Sequence, residues 1–477
     1  MQINIKTYYK TGLRLVLPLI LFIVLSGFLV PYWYSFIKEI ISFSILTFIC
    51  LLILLLVKKL EWNRLFGSAL FLFLTFISLL KLSFYSIFNS KISASSLFVF
   101  FETNVNEASE FLTSYLNTKF IIVIISHFIL LLFYVLKIRF ITVKPNKLSL
   151  FKKCICLGLI SVSFFILNRK FKEESLIFNI SSSYTDYKVT KADLKKDLAQ
   201  TNSKYIKNIE TSNSPEIGVV IIGESTSRWH MGLYGYKRNT NPLLSEIKEE
   251  LSIFTNVISP SVMTIKSLEK VLTMKTLENI TIKNNFSIVQ LANASGYNTH
   301  WISNQQPVGF TESVPTLIAQ ASNHKKFMAT DSYVYTIYDE ALLPELTSVL
   351  QNVKGKHLIF IHLIGTHRAY NKRYPEKFNV FSKKVENEFS NRASEFINQY
   401  DNAVLYNDYV VREIIEKVRA TQKNSFVVYF SDHGDDVFDT QNFVGHFGGK
   451  SSKPMYDIPF VLWTSREKKS FTKSQLY

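Results

Sequence analysis

The chain has 477 residues, enough for two or three domains, and 48% of them are hydrophobic, with 40 phenylalanines, an apolar load that argues against a wholly soluble protein. A net charge of +17, from 54 Lys and Arg against 37 Asp and Glu, suits anionic headgroups, phosphorylated glycans or nucleic acid and selects none of them. The 3 cysteines, Cys50, Cys154 and Cys156, lie in the first third, so the remainder can form neither a disulfide nor a thiolate metal site, and a metal there needs oxygen and nitrogen ligands.

Five apolar runs come first, at 15–37, 40–57, 65–88, 120–136 and 154–168. The first two approach the roughly 20 residues that cross ~30 Å of hydrocarbon. Snorkelling of Lys81 lets the third continue to Phe88, and the fifth is the shortest. The first run is long, lacks a small-residue cleavage pattern and is followed by others, so it reads as a span rather than a signal peptide. Basic clusters at Lys6, Lys10 and Arg14, at Lys58, Lys59 and Arg64, and from Lys137 to Lys153 mark the cytoplasmic side, while Tyr32, Trp33 and Tyr34 read as an outer interfacial anchor. Five spans then put the rest of the chain outside the cytoplasm. Arg169, Lys170 and Lys172 blunt that bias, and without the fifth span the later residues would face the cytosol. Between the third and fourth runs, Phe100 to Tyr115 mixes Glu102, Glu107 and Glu110 with Phe and Leu, as either a surface amphipathic helix or an ordinary loop helix.

Residues 1–172 are therefore expected to form a transmembrane domain, 173–215 a polar linker with short helical pieces, and 216–477 a catalytic domain. In the last region the short apolar runs Ile217–Ile222, Thr299–Ile302, His357–Ile364, Phe426–Phe430 and Ile458–Trp463 alternate with helical segments, which predicts a mostly parallel sheet with helices on both faces. Ligands of such sheets bind at the carboxyl ends of the strands. There the sequence places Glu224, His367, and Asp432 with His433, followed by His446.

Two carboxylates and an imidazole are ligand types that hold zinc or manganese with a position left for substrate. Singly, an Asp-His-Gly is a turn or a cap and a strand-end Glu a solvated charge; at separate strand ends together they point to a metal. Thr264 opens a helical stretch, where free N–H groups favour a phosphate or an alkoxide, and is a candidate nucleophile. The same position suits a helix-capping threonine, and Ser259 and Ser261 compete with it. His367 and His446 are candidates for a second metal, for holding substrate oxygens or for protonating a leaving group, whereas His127, His357 and His362 lie in apolar runs and read as structural. Walker, Rossmann and nucleophile-elbow motifs are absent, and basic residues are not interleaved with aromatics, which disfavours nucleic acid.

These residues resemble a known family. The run Val219–Arg228 continuing through Gly232–Pro242, Thr264 ahead of Met274, His362–His367 followed by Lys372–Pro375, and Ser431–Asp435 leading to Gly445 and His446 together resemble bacterial phosphoethanolamine transferases of the alkaline phosphatase and sulfatase superfamily. Five spans ahead of a periplasmic α/β domain fit as well, so the resemblance covers essentially the whole chain. It implies an inner-membrane enzyme with zinc, one ion or more, held by Glu224, Thr264, Asp432 and His433. Thr264 would take phosphoethanolamine from phosphatidylethanolamine as a covalent intermediate and pass it to lipopolysaccharide or a periplasmic glycan, with His367 and His446 at the substrate.

The sequence departs from lipid A-modifying members in lacking periplasmic cysteines and a counterpart of their substrate lysine, and the Gly232–Tyr236 wording is closer to branches acting on core sugars or glucans, which favours a sugar acceptor. The chain stops a short basic tail after Trp463, where relatives continue, so its C-terminus is either short or truncated. Rival readings are a lipoteichoic-acid-type polyglycerol-phosphate synthase, a sulfatase- or phosphatase-like hydrolase, and a transporter or sensor with a degenerate domain; the intact ligand set disfavours the last.

Overall fold

The computed structural model describes residues 13–30, 33–93, 97, 117–138, 141, 149–198, 215–278, 285–305, 314–328, 337–351, 353–387, 389, 392–449 and 451–465. The stretch from Phe100 to Tyr115 and the tail after Ser465 lie outside these residues. The chain divides into two compact units, with the boundary between Tyr187 and Lys188.

The first unit is helical: α1 Leu17–Leu29, α2 Ile37–Leu56, α3 Leu60–Phe88, α4 Thr118–Phe133 and α5 Leu150–Lys170. Of these, α2, α3, α5 and α4 with its extension to Ile138 are long and apolar enough to cross a membrane, and the apolar helix Arg14–Leu29 is shorter. The first run thus breaks well before residue 37. Pro31 disfavours helical dihedrals at the residue before it, Val30 is extended, and a 3₁₀ turn at Trp33–Phe36 restarts the chain into α2. The fifth run is longer than its apolar stretch, because Ser149 caps α5 upstream of Cys154 by accepting the Lys152 N–H.

Lys81 does not snorkel. Its ammonium is buried, paired with Glu39, and donates to the carbonyl of Glu174. His127 is satisfied as a structural residue, 2.8 Å from the Val123 carbonyl and 2.9 Å from the Ser78 hydroxyl. The first part of the expected linker is one 23-residue helix, α6 Leu176–Leu198. Two of its buried positions, Asn179 and Ser183, are polar, so no apolar period marks it in the sequence.

The second unit is built on a seven-stranded sheet in the order β2-β9-β6-β1-β5-β3-β4. Its strands are β1 Ile217–Gly223, β2 Leu251–Ile253, β3 Tyr297–Ser303, β4 His324–Phe327, β5 Lys356–His362, β6 Ser425–Ser431 and β9 Phe460–Thr464; β7 Asp436–Val437 and β8 Val444–Gly445 form a separate ribbon. Central β1 pairs parallel with β5 and β6, and β3 pairs parallel with β5 and β4, whereas β9 runs antiparallel between β6 and β2. The five expected strands are all present, and the mostly parallel sheet is as predicted.

Alternate residues of β1 and β5 enter two cores. Val219, Ile221, Ile359 and Ile361 pack under the helices Leu342–Gln351 and Ala393–Arg419. Val220, Ile222, Leu358 and Phe360 pack with Leu268 and Leu272 of the segment that starts at Thr264 and with Val289 of the next helix. Burial on both faces is why these strands read as continuous apolar runs, with each buried Val, Leu, Ile or Phe side chain contributing about 1.5–3 kcal/mol. The helices on the two faces, numbered on from α6, are α7 Thr264–Val271, α8 Ile288–Ala294, α9 Leu342–Gln351 and α10 Ala393–Arg419.

Candidate active site

The carboxyl ends of β1 and β6 are adjacent, and both turn sharply. Ser225 takes φ 59°, a left-handed conformation that carries strain in a serine, and hydrogen bonds to two buried side chains hold it there. Its N–H donates to Asp432 Oδ1 at 3.1 Å, and its carbonyl accepts the buried Tyr400 hydroxyl of α10 at 2.7 Å, which in turn accepts the Ser227 N–H at 2.8 Å. On the other side Gly365, at φ 53°, lies so close that a Cβ there would meet the Glu224 backbone at 2.8 Å. Glu224 is thereby turned into the site.

At the end of β6, Asp432 Oδ1 accepts the His433 N–H at 2.7 Å, and the Asp432 carbonyl accepts the hydroxyls of Ser259 and Ser267, each at 2.6 Å. The Ser261 carbonyl is a second acceptor beside the same Ser259 hydroxyl, so its single proton is committed to the backbone. Thr264 is different. Met263 is the N-cap of α7 and no side chain caps that end, so the threonine hydroxyl is not used for capping. It points at Glu224, 3.3 and 3.4 Å from the two carboxylate oxygens, and at His433 Nε2, 3.2 Å away. The structure therefore brings Glu224, Thr264, Asp432 and His433 together at one point.

The donor set fits a divalent cation. Glu224, Asp432 and His433 each offer a ligand atom within 4.8 Å of the others. His433 Nδ1 lies 3.1 Å from the Gly434 carbonyl, which fixes the N–H on that side and turns Nε2 inward. Asp432 Oδ2 is buried and has no hydrogen-bond donor, an arrangement that costs free energy unless a cation faces it. The electrostatics agree. Burial raises the Asp432 carboxyl and the nearby Glu224 charge raises it further; burial opposes ionisation of Glu224, but the hydrogen bond and charge of His433 hold that carboxyl well below its ordinary range. Despite burial, Asp432 and Glu224 push the His433 imidazole up, so this point selects positive charge, a proton or a metal ion.

His446 lies beside the cluster, its ring centroid 4.0 Å from that of His433, and Asp435 Oδ1 holds its Nδ1 at 2.8 Å while Tyr370 donates to the other oxygen of Asp435 at 2.5 Å. His433, Asp435 and His446 form a second group of metal-ligand type. The charge of His367 is felt at Glu224, and its carbonyl accepts from Arg373 at 3.0 Å. His357 sits 3.0 Å from His300, and His362 stacks edge-on against Trp301.

Sequence reasoning passed over two supports. Gln305, just past the end of β3, donates to Glu224 Oε2 at 3.1 Å and to the Leu363 carbonyl at 2.9 Å; its place at a strand end on the same rim was a usable signal. The run after Glu224 is anchored on Asp401 of α10, which takes His230 at 2.6 Å, Arg238 at 2.8 Å and Tyr236 at 3.0 Å. Thus part of the run used for the resemblance holds the β1 loop in place.

A sulfatase family model matches residues 217–477. The phosphoethanolamine transferase EptC of Escherichia coli K12 is 32% identical over 417 residues, covering 82% of this chain and 72% of EptC. CptA of Salmonella typhimurium, also a phosphoethanolamine transferase, is 32% identical over 418 residues with the same coverage. This chain belongs to the phosphoethanolamine transferases of the sulfatase family. It is accordingly an enzyme, and the resemblance drawn from its motifs holds. The zinc complex of the periplasmic domain of Escherichia coli EptC superimposes with a TM-score of 0.51 at 36% identity, covering 55% of this chain and 76% of that one. The integral membrane lipooligosaccharide phosphoethanolamine transferase A of Neisseria meningitidis shares the fold, with a TM-score of 0.61 at 20% identity over 96% of this chain and 88% of its own.

Proposed function

We propose that this enzyme moves phosphoethanolamine from phosphatidylethanolamine to a lipopolysaccharide or periplasmic glycan acceptor, with Thr264 as the nucleophile and a phosphoethanolamine-threonine intermediate. The α1–α5 helices are its five spans in the bacterial inner membrane, the first of them short, and residues 216–477 are its catalytic domain in the periplasm. The observation that carries this reading is the Thr264 hydroxyl, free of a capping role and 3.2 to 3.4 Å from the Glu224 carboxylate and the His433 imidazole.

Glu224, Thr264, Asp432 and His433 would hold the zinc, which supplies positive charge that lowers the pKa of a bound hydroxyl and neutralises phosphoryl oxygens. The zinc complex of the related EptC domain supports this ion over manganese. Glu224 accepts the hydrogen bond of the threonine hydroxyl and so aims an oxygen lone pair at the phosphorus. The N-terminal end of α7 favours the negative charge of the phosphoryl group. As Thr264 Oγ1 bonds to phosphorus its proton passes to the His446 imidazole, the bond from phosphorus to the glycerol oxygen breaks, and diacylglycerol leaves as the alcohol with that proton. His446, held through Nδ1 by Asp435, is placed to supply that proton, and His367 to hold a phosphoryl oxygen. An acceptor hydroxyl or phosphate then attacks the same phosphorus and Thr264 leaves. With no cysteine in the second unit and the Gly232–Tyr236 wording, a core sugar is the favoured acceptor.

The test uses the full chain in lipid with ethanolamine-deuterated phosphatidylethanolamine and lipopolysaccharide. The label should reach the lipopolysaccharide with the native enzyme and not with Thr264→Ala. Release of label as free phosphoethanolamine with none on any acceptor would replace transferase by hydrolase.

A further inference from the structure

Asp339 opens a short 3₁₀ turn, Asp339–Ala341, ahead of α9, and its carboxylate is buried and engaged through both oxygens. Oδ1 accepts the Ile364 N–H at 2.9 Å and Oδ2 the Gly365 N–H at 2.9 Å, so one side chain clamps two successive amides of the loop that follows β5. The Asn304 side-chain amide also donates to Oδ1 at 2.9 Å, and to the Ile337 carbonyl at 2.9 Å. A carboxylate that accepts from three buried donors is rigid, because moving it would leave all of them unpaired.

Both segments that Asp339 grips lean on Glu224. Gly365, whose φ of 53° the clamp holds, lies against the Glu224 backbone, and the next N–H, that of Thr366, donates to the Glu224 carbonyl at 3.0 Å. Asn304 follows β3, where its own N–H bonds the His362 carbonyl at 2.9 Å, and its neighbour Gln305 donates to Glu224 Oε2 at 3.1 Å. The main chain and the carboxylate of Glu224 are thus held by two segments that Asp339 ties to each other, and His367 stands two residues beyond Gly365 on the clamped loop.

We propose that Asp339 is a positioning residue for phosphoethanolamine transfer, acting through Glu224 and the His367 loop rather than on the reacting atoms. Its effect on zinc rests on the reading of Glu224 as a ligand given above; its effect on turnover does not. Asp339→Asn is nearly isosteric, but an amide has a single acceptor oxygen, so its NH2 would face one of the two clamped N–H groups and that hold would be lost. The domain carries its own control. Asp408 of α10 grips the Leu243 and Leu244 N–H groups at 2.9 and 3.2 Å and the Asn241 amide at 3.4 Å, the same construction on partners that, among the described residues, make no hydrogen bond to Glu224, Thr264, Asp432 or His433.

The test measures zinc affinity of the metal-stripped full chain in detergent, by competition with a fluorescent chelator, and steady-state transfer, for Asp339→Asn and Asp408→Asn. Both variants should melt below the native protein. Asp339→Asn alone should bind zinc about tenfold more weakly and lose kcat by a similar factor, with the donor KM within about twofold. Added to Glu224→Gln, it should change zinc affinity by less than about twofold, because the residue it acts through has gone. Where Asp339→Asn does not fold, Asn304→Ala removes one of the three donors and should weaken zinc binding about threefold; an unchanged affinity there overturns the proposal. Zinc affinity and kcat of Asp339→Asn within about twofold of native, losses of equal size in Asp408→Asn, or a full further loss in the Glu224→Gln background would assign Asp339 to the fold alone and overturn it as well. If Glu224→Gln by itself binds zinc as tightly as the native protein, the ligand reading fails instead, and the role of Asp339 stands or falls on the kcat difference between the two aspartate variants.

Discussion

Replacing His230 by glutamine removes a cation from between the buried carboxylate of Asp401 and the partly buried one of Asp439. His230 Nδ1 lies 2.6 Å from Asp401 and Nε2 3.1 Å from Asp439, with the imidazole itself buried. Burial alone would lower its pKa, but the charges of Asp439 and Asp401 overcome this and raise it to about 10. Breaking a buried ion pair from one side costs about 3–5 kcal/mol, because the partners stay behind without compensation. Asp401 keeps Arg238 and Tyr236, so the low end applies here, about 3 kcal/mol. For a domain of this size that is roughly 6–12 °C in Tm. Because the folded-state pKa is raised, the stabilisation is complete below the unfolded value of about 6.5 and is lost as pH climbs through about 10. Unfolding of the full chain in detergent, followed by tryptophan fluorescence from pH 6 to 11, should show the native protein losing stability across this window. The His230→Gln variant should start lower and lose less. A variant within about 1 kcal/mol of the native protein at pH 7, or identical pH profiles for the two, would refute the reasoning.

Three further outcomes follow from the same geometry. Tyr400→Phe removes the hydroxyl that ties the Ser225 carbonyl to the Ser227 N–H, and should cost about 1–3 kcal/mol of stability and lower activity by loosening Glu224, as read by chemical denaturation and turnover. Gln305→Leu deletes a hydrogen bond to Glu224 and should reduce kcat about tenfold with little change in fold, checked by steady-state kinetics beside circular dichroism. Asp432→Asn removes the negative charge facing His433 and should weaken zinc retention about 10-fold or more, measured by metal analysis of the purified full chain; undiminished zinc would contradict the ligand assignment.

Most of the catalytic frame was legible because it follows from local physics. Strands buried on both faces are uninterrupted apolar runs, and side chains of metal-ligand type follow their ends, so the meeting of Glu224, Asp432 and His433 was legible from pattern alone. The choice of Thr264 over Ser259 could not, since it turns on which hydroxyl faces the cluster and which bonds the Asp432 backbone. Contacts between distant residues were equally hidden: His230 and Asp401 stand 171 positions apart, and nothing local to either announces the pair. The α6 helix has no apolar signature because polar Asn179 and Ser183 occupy buried positions of its stripe, and the first apolar run covers two helices because Val30, ahead of Pro31, turns extended in the midst of apolar residues. Strand β4, His324–Phe327, lies on the sheet edge with mostly exposed residues and so has no apolar signature.

The central claim is the covalent role of Thr264. Intact-mass analysis of the purified full chain after exposure to phosphatidylethanolamine, without acceptor, measures it most directly. The native protein should gain the mass of one phosphoethanolamine, mapped by peptide fragmentation to Thr264, and Thr264→Ala should gain nothing. An adduct that persists in Thr264→Ala, or a native protein that transfers the group while never carrying it, would contradict the account.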